Sequence, residues 1–512
     1  MSAGADNSRA ITMVAAILGG LVAAVMLGRY VAQGDYQKVA LLTSATFVIL
    51  FALLIGNRYW YLIPVTVSLS LPTFQLGGRN IDLAELAIAM STGLFIVRFA
   101  SKREHLQIFR LRNAPILLYF AWVMLVWALN PVGLAGFGSM TGGGRFYATV
   151  LMALAAFLII SNQEIEERDI KWIFGLMLTG LLLDLARNLL EYLVLGRQLG
   201  VAGLDIENEG TYTWHQVMAG PVLLLISLLF CRYSPAQVFS IAHPGRFALY
   251  LIGFIPVALS GKRAAMMQLF LFPLLSAILY RQYRYVVLFA MIVALGLGGI
   301  LVGQGNLFHL PLNAQRALSW LPGNWDPELS SLAGGQDEFR KALREIAIEE
   351  IRRDPWIGDG FSVDIGAAAG AYYHAMMFGA PDIRDQVMPF AIGKAWHNTW
   401  LGYAADFGIP LSIIHVFVLF TGIFCSYTLF RRAEGFVWVR TMALYCFMYF
   451  FRDLLLSWTS GHSASDAFTR WWMYGMVFAL TDQVARWKRE NKVALSNEKA
   501  APEAEAAEFN HS

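Results

Sequence analysis

The sequence is short of charge. Of its 512 residues only 15% are Asp, Glu, Lys or Arg, against 57% hydrophobic and 14% aromatic. A soluble domain usually carries about a quarter charged residues, so a soluble globular fold is excluded for the main body of the chain. Cysteine is scarce too. Cys231, Cys425 and Cys446 fall in or beside apolar runs, and their odd number gives no disulfide framework. No HExxH, no His/Cys cluster and no DxD pair stands at ligand spacing, so the sequence argues for no metal site. No P-loop is present, and nothing else points to nucleotide hydrolysis as a driving reaction. There is neither a fixed-period repeat nor a matched pair of broken helices of the kind transporters show.

Long apolar runs fill the space left by charge. Repeated stretches of roughly 18–20 residues, almost free of ions, read as transmembrane helices. Ile11–Gly28 follows a short polar lead and, lacking a small-residue cleavage site, reads as an uncleaved anchor. Further spans are expected at Val39–Ile55, Tyr59–Phe74, Ile81–Phe99, Ala114–Leu129, Phe146–Ile160 and Trp172–Leu195. His215–Cys231, Phe247–Ser260, Ala264–Tyr280 and Val286–Val302 follow, then a long polar interval, then Leu411–Phe430, Phe436–Leu456 and Phe468–Thr481. The expected fold is an all-α polytopic membrane protein of about 14 transmembrane helices with one large helical loop. Its parts are an N-terminal transmembrane bundle (1–303), the loop (304–410), C-terminal transmembrane helices (411–482) and a tail (483–512). The tail is rich in Ala and Glu without an apolar face, and is expected to be disordered in the cytoplasm.

Lys and Arg set the orientation, because cytoplasmic loops carry their excess. The loops around Arg58, Lys102 to Arg112, Arg232 to Arg246, Arg281 to Arg284 and Arg431-Arg432 are basic, as is the tail from Arg486 to Lys492. Leu76–Asn80, Gly196–Trp214 and Asp453–Ala467 are poorer in both. With an even number of spans, both termini are expected in the cytoplasm and the long polar interval on the outer face.

The polar interval holds the chemistry. Phe339, Leu343, Ile346, Ala347 and Ile351 recur at helical spacing. Asp337 and Glu338 open this run and Arg352 and Arg353 close it, which suits the helix dipole; Asp354-Pro355 then stops it. Gly358 and Gly360 allow a tight turn, either a plain one or one whose amides face a phosphate. Arg340 lies beside the apolar stripe, as a snorkelling surface arginine or as a guanidinium fork for a pyrophosphate. His397-Asn398 open a short helix carrying Trp400, Leu401, Ala404 and Phe407 on one face, which Gly408-Ile-Pro410 breaks. A histidine at a membrane–water junction is often only interfacial. Its imidazole, with a pKa of about 6.5, can nevertheless take a proton from a hydroxyl at neutral pH.

Other ions lie nearer the spans. Lys262 and Arg263 occupy a tight outer connection where basic residues are disfavoured, and a lipid-linked anion would account for them. Asp184, Arg187 and Glu191 on one face of a span, and Arg452-Asp453 near the end of another, are intramembrane ions. They are either functional or mutually paired structure. His215 is a weaker candidate at the outer end of a span.

Taken together, these elements resemble the O-antigen ligase and polymerase superfamily of bacterial envelope glycosyltransferases. Members carry many spans and one large periplasmic loop near the C-terminal end. That loop holds an Arg, a helix, Pro, a Gly-x-Gly turn and His-Asn leading into a helix with a GxxG end. Arg340, Pro355, Gly358-Asp-Gly360 and His397-Asn398 take those places, and Gly261-Lys-Arg263 matches an element before an earlier span. Leu411, beside Pro410, stands where the second glycine of GxxG is expected, which puts the local helix break in question.

The resemblance implies metal-independent, cofactor-free transfer of a glycan from undecaprenyl pyrophosphate to an acceptor hydroxyl. The acceptor would be lipid A-core or a growing polysaccharide, at the periplasmic face of the bacterial inner membrane. His397 would be the catalytic base, and Arg340, Arg263 and Lys262 would bind the pyrophosphate. Asn398 would orient His397 or cap the helix. A lipid-linked oligosaccharide flippase or other polysaccharide transporter is the alternative, although it has no use for a polar insert bearing His. An assembly scaffold would not explain outer-face basic residues together with a histidine.

Overall fold

The computed structural model describes residues 28–29, 43, 56–68, 74–76, 79–101, 106–108, 110–132, 144–195, 214–260, 262–311, 314–315, 318–319, 321–362, 382–394, 396–458 and 464–509. The helices are α1 (Leu62–Ser68), α2 (Leu83–Ala100), α3 (Ala114–Leu129), α4 (Gly144–Ser161), α5 (Glu167–Leu195), α6 (Trp214–Arg232) and α7 (Pro244–Leu259). They continue as α8 (Arg263–Leu279), α9 (Tyr283–Gly303), α10 (Pro327–Arg353), α11 (Ile383–Ile392), α12 (Thr399–Arg432), α13 (Val437–Leu456) and α14 (Ala464–Phe509). Among the described residues the expected spans from Ile81 onward fall on helices, although α12 begins at Thr399, ahead of Leu411, and α14 runs past Thr481 to Phe509. The first two, Ile11–Gly28 and Val39–Ile55, lie essentially outside the described residues.

Among the described residues four helical stretches are long and apolar enough to cross a membrane: Leu83–Ala100, Leu111–Leu129, Tyr283–Gly303 and Thr399–Arg432. Phe146–Ser161, Met218–Arg232, Pro244–Leu259 and Arg263–Leu279 are shorter apolar helices. This is a helical membrane protein; a set of fourteen spans is not reached by these helices. The expected span Tyr59–Phe74 is corrected by the structure. A 3₁₀ turn (Gly56–Tyr61) runs into α1, which ends at Ser68, and β1 (Phe74–Leu76) pairs antiparallel with β2 (Arg79–Ile81) in the register Phe74↔Ile81. Gly77 and Gly78 lie between the strands in sequence, and glycines favour two-residue hairpin connections.

The bundle is centred on α14. Its stretch from Arg470 to Leu480 is buried on every side, as a helix at the core of a bundle should be. It packs closely on α4, where Gly475 lets the backbones approach: a Cβ there would press on Ile160 and the Phe157 carbonyl. Helix α12 packs on α13 and α3. By contrast α9 leaves Val287, Leu288, Met291, Ile292, Leu295 and Val302 exposed, an apolar surface suited to lipid.

Charges gather where the Lys/Arg bias assigned one side. Arg58 pairs with Asp169 at 2.9 Å, Arg112 with Asp482 at 2.5 Å and Arg486 with Glu164 at 2.6 Å. Loops separated by hundreds of residues therefore meet at one end of the bundle. The tail differs from expectation, since α14 continues as helix to Phe509. Ala, Glu and Lys are strong helix formers even without a stripe to bury.

The polar insert builds a second, smaller core. Ala342, Leu343, Ile346 and Ala347 of α10 bury against Val387 and Ala391 of α11, against Trp396 just ahead of α12, and against Ala405 within it. Phe339 and Ile351 complete the expected stripe as partly buried neighbours.

Candidate active site

The stripe that buries one side of α10 leaves the next side free to line a cleft. A cleft of about 150 Å³ lies between α10 and the start of α12, lined by Asp337, Arg340, Leu343, Arg344, Ala347, Trp396, His397, Asn398, Leu401 and Trp458. Arg340 and His397, 57 positions apart in the numbering, thus share one cavity, and Asn398 joins them. Arg340 sits one turn from Asp337, with the ion pair at 3.9 Å and both side chains substantially exposed. So loose and wet a pair contributes little to stability and leaves the guanidinium available.

His397 is held from both sides along the chain. Before it, the Trp396 indole is buried and donates to the Asp406 carboxylate at 3.0 Å, while Lys394 pairs with the same oxygen at 3.2 Å. After it, Asn398 caps α12: its side-chain oxygen accepts from the Leu401 amide at 3.1 Å, and its amide nitrogen donates to the Trp458 carbonyl at 3.2 Å. The Thr399 amide also donates to the Ser457 carbonyl at 2.9 Å. Asn398 therefore fixes the backbone that carries His397 and ties it to the end of α13. Of the two roles open to it, capping is the one it fills.

The imidazole itself is solvent-reachable, with its ring centroid 6.0 Å from Phe339 and 6.4 Å from Phe390. Partial burial against these rings, and secondarily the positive charge of Arg340, push its pKa below the usual 6.5. Both causes disfavour the charged form. At neutral pH the ring is uncharged and can accept a proton.

The glycine turn has a different task from the phosphate cradle that sequence allowed. Asp354 accepts from the Trp356 and Ile357 amides, starting the turn after α10. Gly358 and Gly360, both at positive φ, then dock into the break in α12, where Gly408 has φ 77° and ψ 163°. The Gly360 amide donates to the Asp406 carbonyl at 2.6 Å and the Ile409 amide to the Pro355 carbonyl at 2.9 Å. A Cβ on Gly408 would run into the Trp356 carbonyl, and one on Gly358 into the Asp406 carbonyl. The Gly360 amide is thus committed to backbone. The two glycine motifs are two halves of one joint, further held by Trp122 and Asn130, which donate to the carbonyls of Phe407 and Gly358. Leu411, where the second glycine of GxxG was expected, is fully buried just past the break.

Lys262 and Arg263 stand elsewhere. Lys262 is the N-cap of α8 and Arg263 its first residue, donating to Ser319 at 3.3 Å. Neither is among the residues lining the cleft. The backbones of Asp184, Arg187, Glu191 and His215 are helical, but their side chains lie outside the described residues. Asp453 is structural in character: Arg470, almost wholly buried, places two nitrogens on its Oδ2 at 2.8 and 3.0 Å, and Arg452 approaches Oδ1 at 3.4 Å. Arg344 and Trp458 were missed by sequence reasoning. Arg344 was legible as the i+4 neighbour of Arg340; Trp458 had no local signal, because it reaches the cleft only through the end of α13.

The fold and site define a helical membrane protein with a basic, imidazole-bearing cleft on a polar insert. Residues 248–416 match the O-Antigen ligase family model. The match runs from α7 into α12, taking in Lys262, Arg263, Arg340, His397 and Asn398 and leaving out Trp458. No curated protein matches the chain.

Proposed function

We propose that this protein is a glycosyltransferase of the ligase or polymerase type that uses undecaprenyl pyrophosphate as the glycan carrier. The observation that carries this reading is one cleft lined by both Arg340 and a His397 whose pKa is lowered. An acceptor hydroxyl, on lipid A-core or on a growing polysaccharide, attacks the anomeric carbon of the donor sugar. Its proton passes to the neutral imidazole of His397 as the bond to the pyrophosphate oxygen breaks. Arg340 stabilises the charge that the pyrophosphate gathers as it leaves, an interaction stronger in the transition state than before it. Asn398 keeps His397 in place through the helix cap. Lys262 and Arg263 serve the donor from outside the cleft, and the insert faces the periplasm from the inner membrane, with both termini in the cytoplasm.

Purified protein in lipid nanodiscs, given a polyprenyl-pyrophosphate glycan and an acceptor, tests the reading. Glycan transfer with matching release of polyprenyl pyrophosphate is expected, unchanged by a chelator. Movement of the lipid-linked glycan across vesicles without transfer would replace the reading with a flippase. Chelator inhibition reversed by a divalent ion would overturn its metal-free form.

A further inference from the structure

We propose that Arg344 is a second cation of the cleft and that, with Arg340, it binds the diphosphate group of the donor. This rests on the proposed function and deepens it. Arg340 and Arg344 are one helical turn apart on α10 and both line the cleft that holds His397. Like charges at i and i+4 oppose helix formation, so the pair is a standing cost that a bound anion removes. The two arginines differ in what surrounds them. Arg340 has Asp337 at 3.9 Å, whereas Arg344 pairs with no carboxylate among the described residues. Elsewhere on the insert Arg353 pairs with Glu350, and Arg384 with Glu349. Arg352 also pairs with no carboxylate among the described residues, but it is not among the cleft residues.

Among the described residues the side chain of Arg344 makes one hydrogen bond. Its Nε donates to the Arg340 carbonyl at 3.2 Å, which anchors the base of the guanidinium and leaves the two terminal nitrogens unspent. That edge of a guanidinium fits two oxygens of a phosphate at once. A diphosphate presents two phosphate groups, one for each arginine. Asp337 does not bar it: two guanidinium groups outweigh one exposed carboxylate whose pairing is weak.

The test is binding of inorganic pyrophosphate to the full chain in nanodiscs, with inorganic phosphate and a polyprenyl diphosphate run in parallel. Arg344→Ala should weaken pyrophosphate binding about tenfold or more, as expected for losing hydrogen bonds to a charged group. Arg344→Lys should fall between it and the wild type. With Arg340→Gln the combined loss should be less than the sum of the two, because both side chains hold one ligand. Arg353→Ala, on the same helix outside the cleft, should bind as the wild type does. Polyprenyl diphosphate should show the same dependence on Arg344 and inorganic phosphate a weaker one. If Arg340→Gln weakens binding and Arg344→Ala does not, this inference fails and the proposed function stands. Equal dependence of phosphate and pyrophosphate on Arg344 would overturn the diphosphate assignment. If neither variant affects any of the three ligands, the diphosphate cleft is lost altogether, Arg344 with it.

Discussion

Arg470 and Arg340 receive opposite treatment. Arg470, in the bundle, is 1% exposed and puts two nitrogens on one oxygen of Asp453. Arg340, in the insert, has a side chain 38% exposed and, among the described residues, pairs only with Asp337, at 3.9 Å. A buried ion must be matched by the protein, since nothing else will match it. An exposed ion beside a cleft keeps its hydrogen bonds for what enters. The difference separates architecture from chemistry: the apolar bundle spends its charges on itself, and the insert holds some in reserve. The same division covers histidine. His415 is fully buried amid the rings of Tyr119, Trp400 and Tyr403, whereas His397 opens to the cleft.

Several substitutions would break or sharpen this division. The largest effect belongs to His397→Ala, which should lower transfer by about 10²–10⁴-fold, the usual loss for an acid–base group. Initial rates at equal amounts of folded protein measure it, and a loss well under about tenfold would make His397 structural. Next, Arg470→Met leaves the largely buried Asp453 carboxylate without its main partner. It should cost about 3–5 kcal/mol of stability, read as a lower melting temperature and poorer yield. Gly408→Ala forces a side chain onto the Trp356 carbonyl at a positive φ. It should cost about 1–3 kcal/mol and loosen the joint beneath His397, seen as faster amide exchange around Gly358 and Gly360.

The smallest effect is on pH. With its pKa below the ordinary value, His397 is the working base at neutral pH and is lost as pH falls through that lowered pKa. Removing the nearby positive charge makes protonation easier, so Arg340→Gln should move the acid limb of kcat/KM to higher pH, by up to about one unit. A shift to lower pH would mean that Arg340 does not act on His397.

Much of this was legible in the sequence, for local reasons. Apolar runs gave the helices from Leu83 onward because length and hydropathy are properties of the segment itself. The stripe from Phe339 to Ile351 predicted the buried face of α10, since a period of 3.6 needs no partner to be visible. The family motif led to Arg340 and His397. Other features depended on contacts between distant segments. Gly358 and Gly360 needed Gly408 to explain them, and sequence alone left a phosphate cradle open. Asn398 caps α12 locally, on the Leu401 amide, but its tie to the Trp458 carbonyl needed the distant segment. The hairpin at Phe74–Ile81 was hidden because three-residue strands are too short to show an alternation.

The most direct test compares Arg340→Gln with Arg470→Met in one assay that reads both melting temperature and glycan transfer per folded molecule. The account predicts that Arg340→Gln melts like the wild type yet transfers poorly. Arg470→Met should melt early while the molecules still folded keep most of their activity. If instead Arg340→Gln melts early and its folded fraction transfers normally, the charge in the cleft is structural and the account is wrong.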